Sequence, residues 1–289
     1  MNWIYFAFLS AVLIGTDTII NKKILSREHA IEFLAASSVI ILFLIIPMGF
    51  FIKVLNPTEY GLLFLKSFFA VNFFYLADRS LRHMKVSDYA PLMNLSPIIL
   101  VAFGYLFLGE KLATVQLAGV TLTVAGTYLL ELKDGFSDFK EPFREFKGNR
   151  ELHMLLLGLL FAAVAATIDR HLLKSMRLID FYFWQGIFID VFIFGYLFLF
   201  FDKYAGLKRG FKSAGWLILL STVIYIAADL SYFRAIMYPT AFIAIVIAVK
   251  RLSSFFATVV GGEIFHDDSL LRKSLACAIM IAGVVLIIK

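Results

Sequence analysis

Apolar stretches separated by short charged turns run from one end of this chain to the other. Ten can be drawn, over residues 3–21, 31–53, 60–78, 88–108, 112–131, 153–172, 180–201, 213–233, 239–262 and 273–288. A bilayer core of about 30 Å takes roughly 20 helical residues, so each stretch reads as one membrane span. Lipid offers no partner for the backbone of an isolated strand. The pattern therefore predicts an all-α polytopic membrane protein with ten transmembrane helices. The second stretch is uncharged from Phe33 to Ile52 and the fourth from Tyr89 to Gly109. The longest charged interval, 133–152, carries both signs and reads as the linker between two five-helix halves, 1–132 and 153–289.

The halves read as copies. NKKILSREHAIEF (21–33) aligns with DRHLLKSMRLIDF (169–181) at a constant offset of 148, which places Glu32 on Asp180 and Phe33 on Phe181. Gly109-Glu110 falls on Gly262-Glu263, Gly126 on Gly283, and Arg79-Ser80-Leu81 on Arg234-Ala235-Ile236. An odd number of spans per half turns the second copy upside down relative to the first. Such inverted repeats place the substrate site of many secondary transporters at the repeat interface, near the midplane.

Composition agrees with a membrane protein. The 289 residues are 61% hydrophobic and include 32 Phe, far more than one soluble core needs. The formal net charge of +6 reads as basic loops beside anionic lipid, with no nucleic-acid partner expected. The single cysteine, Cys277, excludes an internal disulfide and any cysteine-rich metal site. The opening MNWIYFAFLSAVLIG has no basic region and no small-x-small cleavage site, so it reads as the first span. There is no Gly-rich nucleotide loop, no His-Glu zinc pattern and no serine in a nucleophile elbow. A non-enzyme without cofactor or metal is expected; His266-Asp267-Asp268 reads as a solvated loop.

Charges inside a span are costly and mark function by default. Lys250 and Arg251 interrupt a run that is uncharged from Ala235 to Val249 and again from Leu252 to Gly262. At the centre of a span each costs about 2.5–3.5 kcal/mol, so they are expected to face a watery cavity, an acidic partner or an anionic ligand. Asp17 and Asn21 are one turn apart on the first helix and share a face. Asp17, Asp190 and Asp229 are candidates for proton coupling or charge balance, with structural pairing as the alternative for each. Arg79 and Arg234 are candidates to close opposite ends of one cavity or to snorkel to headgroups. Asn94, near Pro97 in the fourth helix, is a candidate ligand donor or packing residue. Glu110 and Glu263 read as helix-end residues, and Tyr75, Trp184, Tyr225 and Tyr232 as candidate pocket walls.

The stretch SPIILVAFGYLFLGEKLATVQLAGVTLTVAGTYLL (96–130) resembles the drug/metabolite transporter superfamily, in particular its EamA-like ten-helix members. The carrying residues are Pro97, Gly109, Glu110, Gln116, Gly119 and Gly126. The second copy (249–287) keeps Glu263 and Gly283 but has Lys250, Lys273 and Ala276 where the first has Pro97, Gln116 and Gly119. The resemblance implies ten helices, both termini in the cytoplasm, and alternating-access transport of small metabolites. The Lys250-Arg251 pair is also similar to one in the sugar-phosphate/phosphate exchangers of that superfamily, where it binds phosphate. Lys and Arg are more numerous in the loops opposite the N-terminus, which points instead to an outside N-terminus.

The function expected from these readings is secondary active transport, across a plasma or inner cell membrane, of a small anionic or zwitterionic metabolite. Lys250, Arg251, Asn94, Arg79 and Arg234 form its binding set. Protons are the expected coupling ion, and the protein is a monomer or homodimer. The alternative is an exporter of amino acids or cationic compounds that uses the intramembrane aspartates, with Lys250-Arg251 neutralising them.

Overall fold

The computed structural model describes residues 3–26, 29–84, 89, 92, 93, 95–131, 150–200, 204–253, 256 and 270–288. Among them are ten α-helices and no strand: α1 Trp3–Leu25, α2 Ala30–Ile45, α3 Pro57–His83, α4 Ser96–Leu108, α5 Thr114–Glu131, α6 Arg150–Leu172, α7 Leu178–Phe200, α8 Tyr204–Ile236, α9 Ile243–Lys250 and α10 Leu270–Ile288. Each lies within one of the ten apolar stretches or extends it by a few residues, apart from α8, whose first turns precede its stretch. Six are long and apolar enough to cross a membrane: α1, α2 with its 3-10 extension, α3, α6, α7 and the Gly215–Ile236 part of α8. Outward-facing apolar side chains such as Phe43, Phe50, Phe107 and Trp216 are exposed. Contiguous apolar surface of this kind belongs against lipid.

Helix ends follow local chemistry. Pro47 cannot donate to the α2 ladder, and the chain tightens into a 3-10 turn over Ile46–Phe51. Pro57 stands in the first turn of α3, where its missing N–H costs nothing, and the Glu59 carboxylate accepts the Asn56 N–H at 2.9 Å. Gly109 ends α4 in the left-handed region at φ 66°, a conformation that costs glycine little, and the Glu110 N–H closes on the Gly104 carbonyl at 3.0 Å.

Two of the expected helices differ in detail. The described α4 begins at Ser96 with Pro97 in its first turn, where the missing N–H costs nothing. The ninth begins at Ile243, because the chain turns through Met237–Ala241 after Pro239. It ends at Lys250, with Arg251 as its C-cap and Leu252 N–H reaching back to Val249.

Helices distant in sequence pack together. α1 lies on α8 and α3 on α6; α2 touches α7 and α8, α3 touches α7, and α9 packs against α1 and α4. Helices α5 and α10 form the closest pair, and glycine makes that approach possible. A Cβ on Gly283 would meet the Thr123 hydroxyl, the Thr123 nitrogen at 2.7 Å and the Gly119 carbonyl at 2.8 Å; one on Gly119 would meet the Gly283 carbonyl at 2.7 Å. These neighbours are mostly backbone and cannot give way. Gly283→Leu is therefore expected to lower the melting temperature in detergent, consistent with an overpacking cost of about 1–3 kcal/mol or more. Gly61→Ala, where an added Cβ meets nothing within 4 Å, should leave it unchanged or higher. Equal effects of the two substitutions would contradict the packing argument.

Candidate functional site: an acidic cavity between the halves

A cavity of about 190 Å³ opens among α1, α2, α3, α7 and α8. Phe33, Phe73, Phe74, Tyr182 and Tyr225 supply most of an apolar wall. Among the described residues its charged lining is all of one sign: Asp17, Asp78, Asp190 and Asp229. An engineered apolar cavity of roughly 150 Å³ holds benzene, so this space suits a solute with one ring or a short branched chain.

Asp17 is buried, and its neighbours hold it in place. Asn21 Nδ2 donates to Asp17 Oδ2 at 2.8 Å, the contact expected from one-turn spacing. Ser221 Oγ, on α8, lies 2.8 Å from Asp17 Oδ1 and 2.7 Å from Asn21 Oδ1. Its single proton serves one of these acceptors at a time. Asp78 stands within electrostatic reach of Asp17 and Tyr89. Asp190 lies beside the Ser38 hydroxyl with 4% of its surface exposed. The buried Thr222 hydroxyl has no hydrogen-bond partner among the described residues. Orphaned buried polar atoms cost free energy, and in the wall of a cavity they are groups a solute can satisfy.

A second polar cluster lies behind this wall. Lys66 Nζ, buried on α3, sits 3.2 Å from Asp169 Oδ1, donates to Gln185 Oε1, and faces the Phe181 and Phe233 rings at 5.1 and 5.5 Å. The Gln185 side chain also hydrogen-bonds Asp229, which in turn faces Lys250. Lys250 Nζ stands 4.2 Å from the centre of the Tyr232 ring, and Arg251 Nε donates to Ser96 Oγ at 2.8 Å. Two lysines thus face two aspartates, with Lys66 and Asp169 buried and Lys250 and Asp229 partly so.

The residues singled out in the sequence separate accordingly. Asp17, Asp190 and Asp229 line the cavity, and of the candidate aromatic walls Tyr225 does. Lys250 and Arg251 are near it but not in its lining. Arg79 Nε lies 3.8 Å from Glu151, and Arg234 is exposed and lies over the Tyr238 ring, both away from the cavity. Asn94, Glu263 and His266-Asp267-Asp268 lie outside the described residues. Lys66 is buried inside the bundle. Sequence reasoning also missed Asp78, Asp169 and Gln185. The signal for Lys66 and Asp78 was present, since both fall within the third apolar stretch, 60–78.

A third cluster ties helix ends together. The Arg170 guanidinium pairs with Glu110 at 3.0 Å and donates to the carbonyls of Ile236, of Tyr238 at 3.0 Å and of Pro239 at 3.1 Å, at the end of α8. Glu110 Oε2 accepts the Ile243 N–H at 2.9 Å, at the start of α9. One buried ion pair therefore satisfies orphan groups at two helix termini. In the first half, Lys22 Nζ donates to the carbonyls of Leu81 at 2.7 Å and Met84 at 3.1 Å, at the end of α3.

Residues 1–132 match the model of the EamA-like transporter family. That stretch, just under half of the chain, is similar to the EamA-like transporters of the drug/metabolite transporter superfamily. The EamA-like half includes α1 to α5 and with them Asp17, Lys66 and Asp78. Proteins of this family are membrane transporters of small molecules, and the multi-pass helical fold agrees. A solved structure described as "Crystal structure of protein" is similar in fold, with a TM-score of 0.63, 14% identity and 96% of each chain covered. No curated protein matches the chain.

Proposed function

We propose that the protein is a secondary transporter whose solute carries an amine, either as a simple cation or as a zwitterion, and binds in the acidic cavity. The observation that carries this reading is the lining itself, which among the described residues holds four carboxylates and no lysine or arginine. The basic pair that suggested an anionic solute is already engaged, Lys250 with Asp229 and Tyr232, Arg251 with Ser96. Lys250 and Arg251 then neutralise carboxylates and hold α9 in the bundle. Asp17 and Asp229 remain the groups available for proton coupling.

Packing supports two inverted halves. Exchanging α1–α5 with α6–α10 turns the α1–α8 contact into α6–α3, α2–α8 into α7–α3, and α4–α6 into α9–α1, all of which occur. The α2–α7, α4–α9 and α5–α10 contacts exchange into themselves. A cavity walled by helices of both halves is the place where rocking one half against the other exposes a solute to either side.

Thermal stability of the purified protein against a panel of amines, amino acids and carboxylates tests the solute class. A ligand at a hundredfold its dissociation constant stabilises the fold by about 2.7 kcal/mol. Amines or amino acids should raise the melting temperature in the wild-type protein and in Lys250→Ala. Stabilisation by carboxylates alone, lost in Lys250→Ala, would move the site to the basic pair.

A further inference from the structure

The Lys66 ammonium is itself a bound amine, and its surroundings can be carried residue by residue to the other half. The offset of 148 takes Asp169 to Asn21, Phe181 to Phe33 and Gln185 to Ser37. The offset of 155, set by Arg79 on Arg234, takes Phe233 to Asp78 and Ser221 to Lys66. Contacts elsewhere obey the same two offsets. Lys22 falls on Arg170, and the carbonyls it reaches, Leu81 and Met84, fall on Ile236 and Pro239, which Arg170 reaches. The Lys66–Asp169 and Ser221–Asn21 contacts are equivalent in this way too.

Asn21, Phe33, Ser37, Asp78 and Ser221 all line the acidic cavity. The cavity thus corresponds to the Lys66 site, with a serine where the other half has a lysine. Ser221 is too short to fill the space. The place exchanges one carboxylate for two: Asn21 stands for Asp169, while Asp78 replaces a phenylalanine and Asp17 lies one turn from Asn21. Buried Asp190 and the unpartnered Thr222 hydroxyl stand in the same wall.

We propose that the ammonium group of the solute sits between Asp17 and Asp78, in the position that the Lys66 side chain fills in the other half. The inference rests on the amine reading and adds the place and the residues. The rest of the solute lies against Phe33, Phe73 and Phe74, which favours a primary amine on a single ring or short branched chain. Asp78 is the specificity-determining residue that separates this cavity from its filled counterpart.

The test uses benzylammonium as the probe and the melting temperature of the full-length protein in detergent as the readout, on wild type, Ser221→Lys, Ser221→Met and Asp78→Asn. The tethered ammonium of Ser221→Lys should find Asp17 and Asp78, so this variant melts above Ser221→Met. It should also no longer respond to benzylammonium. Asp78→Asn should weaken the response by at least about tenfold, since losing one partner of a buried charge pair costs that much or more. If Ser221→Lys melts below Ser221→Met, or still responds to the probe as wild type does, the position is overturned. If wild type, Ser221→Lys and Asp78→Asn all respond alike, the amine reading stands and this site falls. If wild type responds to benzoate and not to benzylammonium, the amine reading itself fails.

Discussion

Arg170→Ala will unfold the bundle well below the wild-type melting temperature, with a loss of about 3–5 kcal/mol or more. The substitution leaves the Glu110 carboxylate buried without its cation and frees the carbonyls of Ile236, Tyr238 and Pro239 at the end of α8. Breaking one partner of a buried pair is costly because the survivor stays desolvated. Arg170→Lys should recover only part of the loss: an ammonium is a point charge that lacks the planar fork reaching four acceptors at once. Glu110→Gln should be milder than Arg170→Ala, since an amide oxygen can still accept the Ile243 N–H. A melting curve for Arg170→Ala within a degree or two of wild type would contradict the clamp.

Lys66→Met is the second large effect expected. Lys66 and Asp169 are each almost fully buried, and Gln185 ties them to Asp229 in the cavity wall. Removing the lysine leaves Asp169 uncompensated, at a cost of about 3–5 kcal/mol. Asp169→Asn alone should destabilise for the same reason. The double substitution should regain most of the loss, because replacing a whole buried pair by neutral groups is often nearly neutral. A double-mutant cycle in thermal stability measures the coupling. Additive losses from the two single changes would show that the pair does not act as a unit.

Hydrophobic periodicity and short turns made the fold legible, because the bilayer restricts the chain to helices and fixes their length. The offset that aligns Asn21 with Asp169 and Phe33 with Phe181 in the sequence is the one on which the proposed repeat and its equivalent contacts rest. The site was legible only in part. Asp17, Asp190 and Asp229 stand in apolar runs and declare themselves by their cost. Lys250 and Arg251 declare themselves more strongly, yet their charge is spent inside the bundle on Asp229, Tyr232 and Ser96. A charge in a span shows that a partner exists without showing whether that partner is protein or solute. Asp78 falls on the last residue of its apolar stretch and beside Arg79, so its signal is weaker than that of a charge inside a run. Gln185 and Ser221 carry no charge, so nothing in the local sequence distinguishes them. Their roles arise only when α7 and α8 are set against α1 and α3.

The account depends on a cation-selective cavity, and transport by proteoliposomes measures that directly. Purified protein is reconstituted, and uptake of labelled benzylamine is compared with uptake of labelled benzoate in wild type, Asp17→Asn and Lys250→Met. Uptake of the amine above empty liposomes, lost in Asp17→Asn and retained in Lys250→Met, is the predicted result. Uptake of the carboxylate, lost in Lys250→Met and indifferent to Asp17→Asn, would contradict it.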